Sequence, residues 1–363
     1  MKKTIAILAG DGIGPEVMQE AVHVLKAIEE KFEHEFKLEE AAIGGAAFDQ
    51  YGVHFPDNTR DICLRADAVL FGSVGGPVAE AQLPKWKDCE KNSILALRKT
   101  LQLAVNLRPV QVYPALAESC PLKDHVIGQG INIMVVRELL GDIYFGKHEM
   151  WQENNQRYAR DVAEYNEQQI RTAAIQGFEL ALLRNKKLTS VDKANVLDTS
   201  KLWREVVTEV AADYPAVQLE HMLVDNCAMQ LIIKPGQFDV IVTANLFGDI
   251  LSDAAAALPG SLGLMPSASL SASSTIGLYE PAGGSAPDIA GKDIANPIAQ
   301  ILCVAMLLRH SFKLIEEAAV IEAAVLQTLK AGWRTRDIFT TGKKLIGTRE
   351  MAEKVIDLIY PSP

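Results

Sequence analysis

Two aspartates four residues apart, in the stretch NLFGDILSDAAAAL, are the strongest chemical signal in the chain. The stretch follows an apolar run, VIVTA, and is patterned as a helix, so Asp249 and Asp253 fall on one face, a turn apart. Stacked carboxylates near a helix start suit a hard divalent cation, because Mg2+ and Mn2+ take oxygen ligands. The bland alternative is a solvated acidic face that favours the helix N-terminus. Apolar and small neighbours argue against a charged surface here. Asp225, which ends the apolar run in HMLVDNC, reads alone as a turn or cap residue. With the other two it can complete a carboxylate trio.

The cationic half of such a site must be local, because 46 acidic residues against 36 Lys and Arg leave a net charge of −10. Arg98 lies in SILALRKT, Arg108 in NLRPV and Arg137 in MVVREL. A lone arginine more often ends in a surface ion pair. Three beside strand or helix ends in an acidic chain fit planar, bidentate capture of carboxylates better. Lys193, in LTSVDKANV, follows a strand pattern. An exposed lysine is the default, and service as a base requires its pKa to fall from ~10.4, which burial, a neighbouring Arg or a metal can bring about. Tyr144, between the glycines of GDIYFG, is either core packing or a proton donor.

Two further stretches invite a nucleotide. In AGDGIGPEV an apolar run meets Gly10, Gly12 and Gly14, but Pro15 occupies the third glycine of the dinucleotide fingerprint G-x-G-x-x-G. No Lys-Ser/Thr pair follows, so a P-loop is excluded. On local evidence the stretch reads better as a tight strand-to-helix turn with proline in the first helical turn. The second, LYEPAGGSAPDIAGKDIANP (278–297), is too long for a simple turn. Its amides can receive a nucleotide, and Asp288 can bond a ribose diol as the acid of a dinucleotide unit does.

These residues need a scaffold. At 363 residues, 48% apolar and 23% charged, the chain has the composition of a soluble globular protein of one large core or two domains. No run approaches the ~20 apolar residues of a membrane helix, and the interrupted start MKKTIAILAGDG reads against a signal peptide. The acidic balance, with no basic stripe, reads against nucleic acid. Five well-separated cysteines without CxxC spacing read as reduced cytosolic thiols, not a zinc site. Short β-branched runs (4–9, 68–71, 132–136, 188–191, 240–243) alternate with helical patterns (16–31, 57–65, 94–103, 164–186, 201–213, 227–234, 247–258, 298–308), which predicts an α/β protein. Residues 148–161 are polar and irregular, either a surface loop or an arm that reaches a partner subunit.

In chain order, GDGIGPE, LRP, REL with GDIYFG, VDKANVLDTS, NLFGDILSD, GLMPSASL and EPAGGSAPDIAGKDIANP make the whole sequence resemble the β-decarboxylating dehydrogenases, which include the isocitrate and isopropylmalate enzymes. The resemblance implies an α/β, two-domain fold around a large mixed sheet, isopropylmalate-dehydrogenase-like and not Rossmann. Residues 1–105 and 262–363 would form a cofactor-side domain, and 106–261 a domain with the dimer interface, metal and catalytic residues. It implies NAD-dependent oxidative decarboxylation of a 2-hydroxy dicarboxylic acid by a homodimer with shared active sites. In this reading Mg2+ or Mn2+ sits on Asp249 and Asp253 with Asp225 of the partner subunit, and Arg98, Arg108 and Arg137 hold the substrate carboxylates. Lys193, also from the partner, takes the hydroxyl proton, and Tyr144 protonates the product enol.

The resemblance also places NAD against Gly283, Gly284, Ser285, Ala286, Pro287, Asp288, Ile289 and Asn296, with Ile13, Glu280 and Asn195. The charge of Asp288 would repel a 2′-phosphate, which favours NAD over NADP. Glu90, Ile94 and Leu95 belong to a pattern, E-x-x-L-L-x-L-R, whose apolar pair receives an isopropyl group. Here Glu90 stands one residue further from Arg98 than that pattern has it.

Overall fold

The computed structural model describes residues 1–128 and 130–360. Strand β1 (Lys2–Gly10) leads through the glycine turn into helix α1 (Gly14–Lys31), then β2 (Glu35–Glu40), α2 (Gly44–Tyr51), α3 (Asp57–Arg65) and β3 (Ala68–Ser73). A π turn (Lys91–Leu95) runs into α4 (Ala96–Thr100) and β4 (Leu103–Val112). Next come α5 (Asp124–Ile127), β5 (Ile131–Glu138), the hairpin β6 (His148–Glu153) and β7 (Gln156–Asp161), α6 (Glu167–Leu182), β8 (Lys187–Asp192) and α7 (Asp198–Ala211). They are followed by β9 (Gln218–Leu223), α8 (Val224–Ile233), β10 (Val240–Thr243), α9 (Asn245–Ala256), β11 (Pro266–Ser271) and β12 (Gly277–Pro281). Helices α10 (Ile298–His310), α11 (Ile315–Lys330) and α12 (Thr348–Ile359) close the chain, with the two-residue strands β13 (Trp333–Arg334) and β14 (Lys344–Leu345) between the last two.

The large mixed sheet has ten strands. The chain divides into two compact units, the first of residues 1–103, 113–121 and 256–363, the second of 104–112 and 122–255. The brief return of 113–121 to the first unit has no counterpart in the sequence pattern. Within the first unit the strand order is β2-β1-β3-β12-β11, parallel except for the antiparallel β11–β12 pair. Within the second it is β4-β5-β10-β8-β9, parallel except for β4–β5. The antiparallel pairs separate this α/β fold from the Rossmann order.

Strands covered on both faces read as unbroken apolar runs. Ile5, Ala6, Ile7 and Leu8 of β1 are all buried, as are Val240, Ile241 and Val242 of β10. The sequence pattern misses β4, where Asn106, Arg108 and Pro109 interrupt the apolar run; all but Pro109 and Gln111 of its residues are buried in the fold. The predicted helix 94–103 is cut to α4 for the same reason, its C-terminal end belonging to that strand. Residues 148–161 form a two-stranded antiparallel hairpin whose strand residues are all exposed except the half-buried Glu149, paired from His148↔Asp161 to Glu153↔Gln156.

The end of β1 is fixed by backbone contact. Gly10 has φ +73, and a Cβ there would stand 1.9 Å from the Ser73 carbonyl oxygen. Only a residue without a side chain lets β1 and β3 meet at this point. Gly10→Ala is therefore expected to lower the unfolding free energy by at least ~2 kcal/mol, measured by urea denaturation. An unchanged midpoint would show that β1 ends without this constraint.

Candidate active site

In the second unit, β10 delivers the chain into α9, and Asp249 and Asp253 project from its second and third turns. They meet two arginines set on antiparallel neighbours, Arg108 within β4 and Arg137 near the end of β5. Both arginines are buried, at 6% and 2% exposure. Nη1 of Arg108 donates to Asp253 Oδ1 at 2.7 Å and to Ser252 Oγ at 2.8 Å, and its Nε to Asn106 Oδ1 at 2.8 Å. Arg137 donates Nη1 to Asp249 and Nε to Asn245 Oδ1 at 2.9 Å. Tyr144 completes the group, its hydroxyl 2.5 Å from Asp249 Oδ2 and its ring beneath the Arg137 guanidinium at 5.3 Å. Burial first, then the Asp249 carboxylate, pushes this phenol up to about 12, so it remains a proton donor at neutral pH. Five residues singled out from sequence thus share one cluster.

Lys193 and Asp225 form a separate pair, Nζ to Oδ1 at 2.6 Å, where the end of β8 meets the first turn of α8. The lysine holds the Asp225 carboxyl below its ordinary range. The turn under Lys193 is set by a residue that sequence reasoning passed over. Asp192 is buried, accepts the Ala194 N–H at 2.9 Å, and is gripped by Arg204 through two bonds of 2.9 and 2.8 Å. Among the described residues no three His, Cys, Asp or Glu side chains come together as a metal-holding group. Asp249 and Asp253 are oxygen donors suited to a hard cation, but Asp225 does not join them within the chain.

In the first unit, Arg98 closes α4 and donates Nη2 to Glu280 Oε1 at 2.7 Å, both side chains about nine-tenths buried. Its Nε is buried with no hydrogen-bond partner, a donor whose cost a carboxylate ligand would relieve. The extra residue between Glu90 and Arg98 coincides with the π turn, whose wider i→i+5 repeat takes up one residue more than an α turn. Ile94 is buried there, Leu95 half-buried and Glu90 exposed.

A cavity of about 200 Å3 in this unit is lined by Ile13, Gly283, Gly284, Ala286, Ile289 and Asn296, together with Leu262, Asp337 and others. Ser285 is buried beside it, whereas Pro287 and Asp288 are exposed on the same loop and do not line it. Asn195 is exposed on the turn after β8, in the second unit. An apolar-walled pocket with a few polar atoms suits a nucleotide.

The opening glycine motif belongs to this cavity through its backbone. Gly12 has φ +59, and a Cβ there would lie 1.9 Å from the Ser285 carbonyl oxygen, which accepts the Ile13 N–H at 2.8 Å. Asp11, to which sequence reasoning gave no role, is buried and accepts three backbone N–H groups, from Gly45 and Ala46 at 2.8 Å and Gly75 at 3.0 Å. It caps the start of α2 and ties the loop after β3 to it. The signal was an acid between glycines that must adopt a left-handed turn.

Residues 4–355 match the family described as isocitrate/isopropylmalate dehydrogenase, and the chain belongs to that family. It is 50% identical over 352 residues to the 3-isopropylmalate dehydrogenase of Clostridium acetobutylicum, covering 97% of this chain and 98% of that one. It is 53% identical over 363 residues to the 3-isopropylmalate dehydrogenase of Pseudomonas fluorescens strain Pf0-1, covering 98% of each. Among solved structures, isocitrate dehydrogenase from Methylococcus capsulatus matches with a TM-score of 0.84 at 32% identity, over 98% of this chain and 99% of that one.

One buried acid beside the cluster carries a pH signature. Burial pushes the Glu138 carboxyl up to about 7 against its three hydrogen bonds. The folded state therefore holds this proton more tightly than the unfolded chain. Its stabilising contribution is complete below the unfolded carboxyl range and is lost as pH rises through about 7. The stability difference between the unmodified protein and Glu138→Gln should accordingly shrink between about pH 5 and pH 8. A pH-independent difference in denaturant titrations would remove Glu138 from that role.

Proposed function

We propose that this protein oxidises and decarboxylates (2R,3S)-3-isopropylmalate to 4-methyl-2-oxopentanoate and CO2 in leucine biosynthesis, using NAD+ and Mg2+ or Mn2+. The observation that carries the reading is the cluster in which two buried guanidinium groups and a phenol meet the carboxylates of α9. Asp249 and Asp253 would hold the cation and release Arg108 and Arg137 to the substrate's carboxylates. That exchange leaves the net charge of the cluster unchanged, so no buried charge is left unpaired. Arg98 would take up a carboxylate through its Nε and its fork-shaped edge.

When bound, the metal supplies Lewis-acid polarisation of the 2-hydroxyl and NAD+ the hydride acceptor. Lys193, in its neutral form, accepts the hydroxyl proton, directly or through water. The arginines orient the carboxylate that leaves as CO2. Tyr144 delivers a proton at C3, consistent with a phenol kept protonated by burial and by Asp249. Ile94 would face the isopropyl group; an isocitrate carboxylate placed there would be left unpaired at a cost of several kcal/mol, roughly.

The active form in this reading is a homodimer with Asp225 and Lys193 supplied across the interface. The chain brings no third carboxylate to Asp249 and Asp253 among the described residues. Helix α8, which bears Asp225, exposes Met229, Ile232 and Ile233 at 48%, 61% and 57%, and α9 exposes Ile250 at 59%. Apolar groups left in water beside the acids support burial against a second copy. The hairpin adds Met150 and the stacked Trp151 and Tyr158. The cofactor cavity is assigned to NAD+, with Asp288 on the adenosine ribose. Five free cysteines support a reducing, cytoplasmic location, and no described helix is long and apolar enough to cross a membrane.

NADH formation with 3-isopropylmalate, D-malate and isocitrate, with and without Mg2+, tests the reading. A metal-dependent preference for isopropylmalate of at least about tenfold in kcat/KM is expected. Preference for another acid would overturn the role of Ile94 and Leu95, and full activity in chelator would overturn the carboxylate site. Lys193→Ala should lower kcat by roughly 10²–10⁴ with the NAD+ binding constant unchanged. Undiminished turnover would exclude Lys193 as the base.

A further inference from the structure

Helix α9 carries both candidate metal carboxylates, yet its own N-terminal flank cannot cap it. The residue before it is Ala244, which has no side-chain acceptor for the first free N–H groups. The caps come from far along the chain. The Asn245 N–H donates to the Tyr165 hydroxyl at 2.9 Å and the Leu246 N–H to Asp142 Oδ2 at 3.0 Å. We infer that Tyr165 and Glu138 are positioning residues that fix the first turn of α9 and so set Asp249 and Asp253 for a divalent cation. The inference rests on the reading above that these carboxylates take the metal.

The hydrogen-bond chain has one direction. The Tyr165 oxygen accepts the Asn245 N–H, so its own proton is left for another acceptor, and the Glu138 carboxyl is the neighbouring acid that can take it. Glu138 is 1% exposed and also accepts the N–H groups of Leu140 at 2.6 Å and Gly141 at 2.9 Å. In its ionised form Glu138 already faces two N–H donors and can accept the phenol proton as well, which holds the Tyr165 oxygen turned toward α9. The ring itself cannot swing away. A Cβ on Gly141 would stand 2.3 Å from Tyr165 Cε1, and the Trp203 ring packs edge-on at 5.8 Å.

Asn245 passes the constraint on. Its side chain donates to the Gly141 carbonyl at 3.2 Å and accepts from Arg137, and Asp249 lies one turn above it. The first turn also sits directly on Arg137, since a Cβ on Gly248 would be 2.7 Å from Arg137 Cγ. Neither Tyr165 nor Glu138 has a role in the proposed chemistry, and both act through the helix.

The test is direct Mn2+ binding to the full-length protein, followed by the electron paramagnetic resonance of free Mn2+, with NAD+ affinity and thermal midpoint measured in parallel. Tyr165→Phe keeps the ring and removes the cap. It should weaken Mn2+ binding about tenfold or more while NAD+ affinity stays within about twofold. Glu138→Gln replaces one of the two accepting oxygens by an NH2 donor and should weaken Mn2+ similarly. If Glu138→Gln does not fold, Tyr165→Phe alone decides. The double variant should bind Mn2+ no worse than the weaker single, because the two act as one unit. Unchanged Mn2+ affinity, additive losses, or NAD+ and Mn2+ affinities falling together with the thermal midpoint would overturn the inference. Asp249→Asn separates the two levels: if it binds Mn2+ as well as the unmodified protein, the metal reading itself has failed.

Discussion

The second unit is organised around two guanidinium charges that have been taken out of water. A buried arginine is tolerated only with anions and acceptors matched to its fork. Arg108 and Arg137 find theirs in Asp249 and Asp253, with Ser252, Asn106 and Asn245 absorbing other N–H groups. The strand positions of the arginines and the start of α9 are therefore not independent. Shifting the helix by one residue would strand two positive charges, so the electrostatics of the cluster fix the geometry of the fold around it.

The first unit solves a different problem. It must bring chain segments close enough for backbone atoms to line a pocket, and side chains would prevent this. Gly10 and Gly12 allow contacts with the Ser73 and Ser285 carbonyls that a single Cβ would block. Asp11 then ties the start of α2 to the loop after β3 by accepting their amides. A motif that imitates a phosphate-binding loop in sequence is here a backbone clamp at the edge of the cavity.

Much of this was legible because it depends on local pattern. The i, i+4 spacing of Asp249 and Asp253, the unbroken apolar run of β10 and the glycines of the first turn all report on neighbours along the chain. Strand β4 was not legible, since its buried Arg108 and Asn106 are polar for the sake of the cluster and break the apolar signal. Glu138, Tyr165 and Asp192 were equally silent. Tyr165 satisfies a group 80 positions away, Asn245, while Glu138 and Asp192 accept from the turns that follow them, and no periodicity encodes such partners. The division into units at 103/104 and 255/256, with 113–121 returning to the first, is likewise a property of packing.

The π turn at Lys91–Leu95 has a consequence of another kind. A helix that can widen one turn can take in a residue without rotating the turns beyond it, so the turn that bears Arg98 and the segment upstream of it are uncoupled in length. Here insertion, and not only replacement, is available as a route to change. The guanidinium can stay with Glu280 while the residues ahead of it are exchanged or added one at a time.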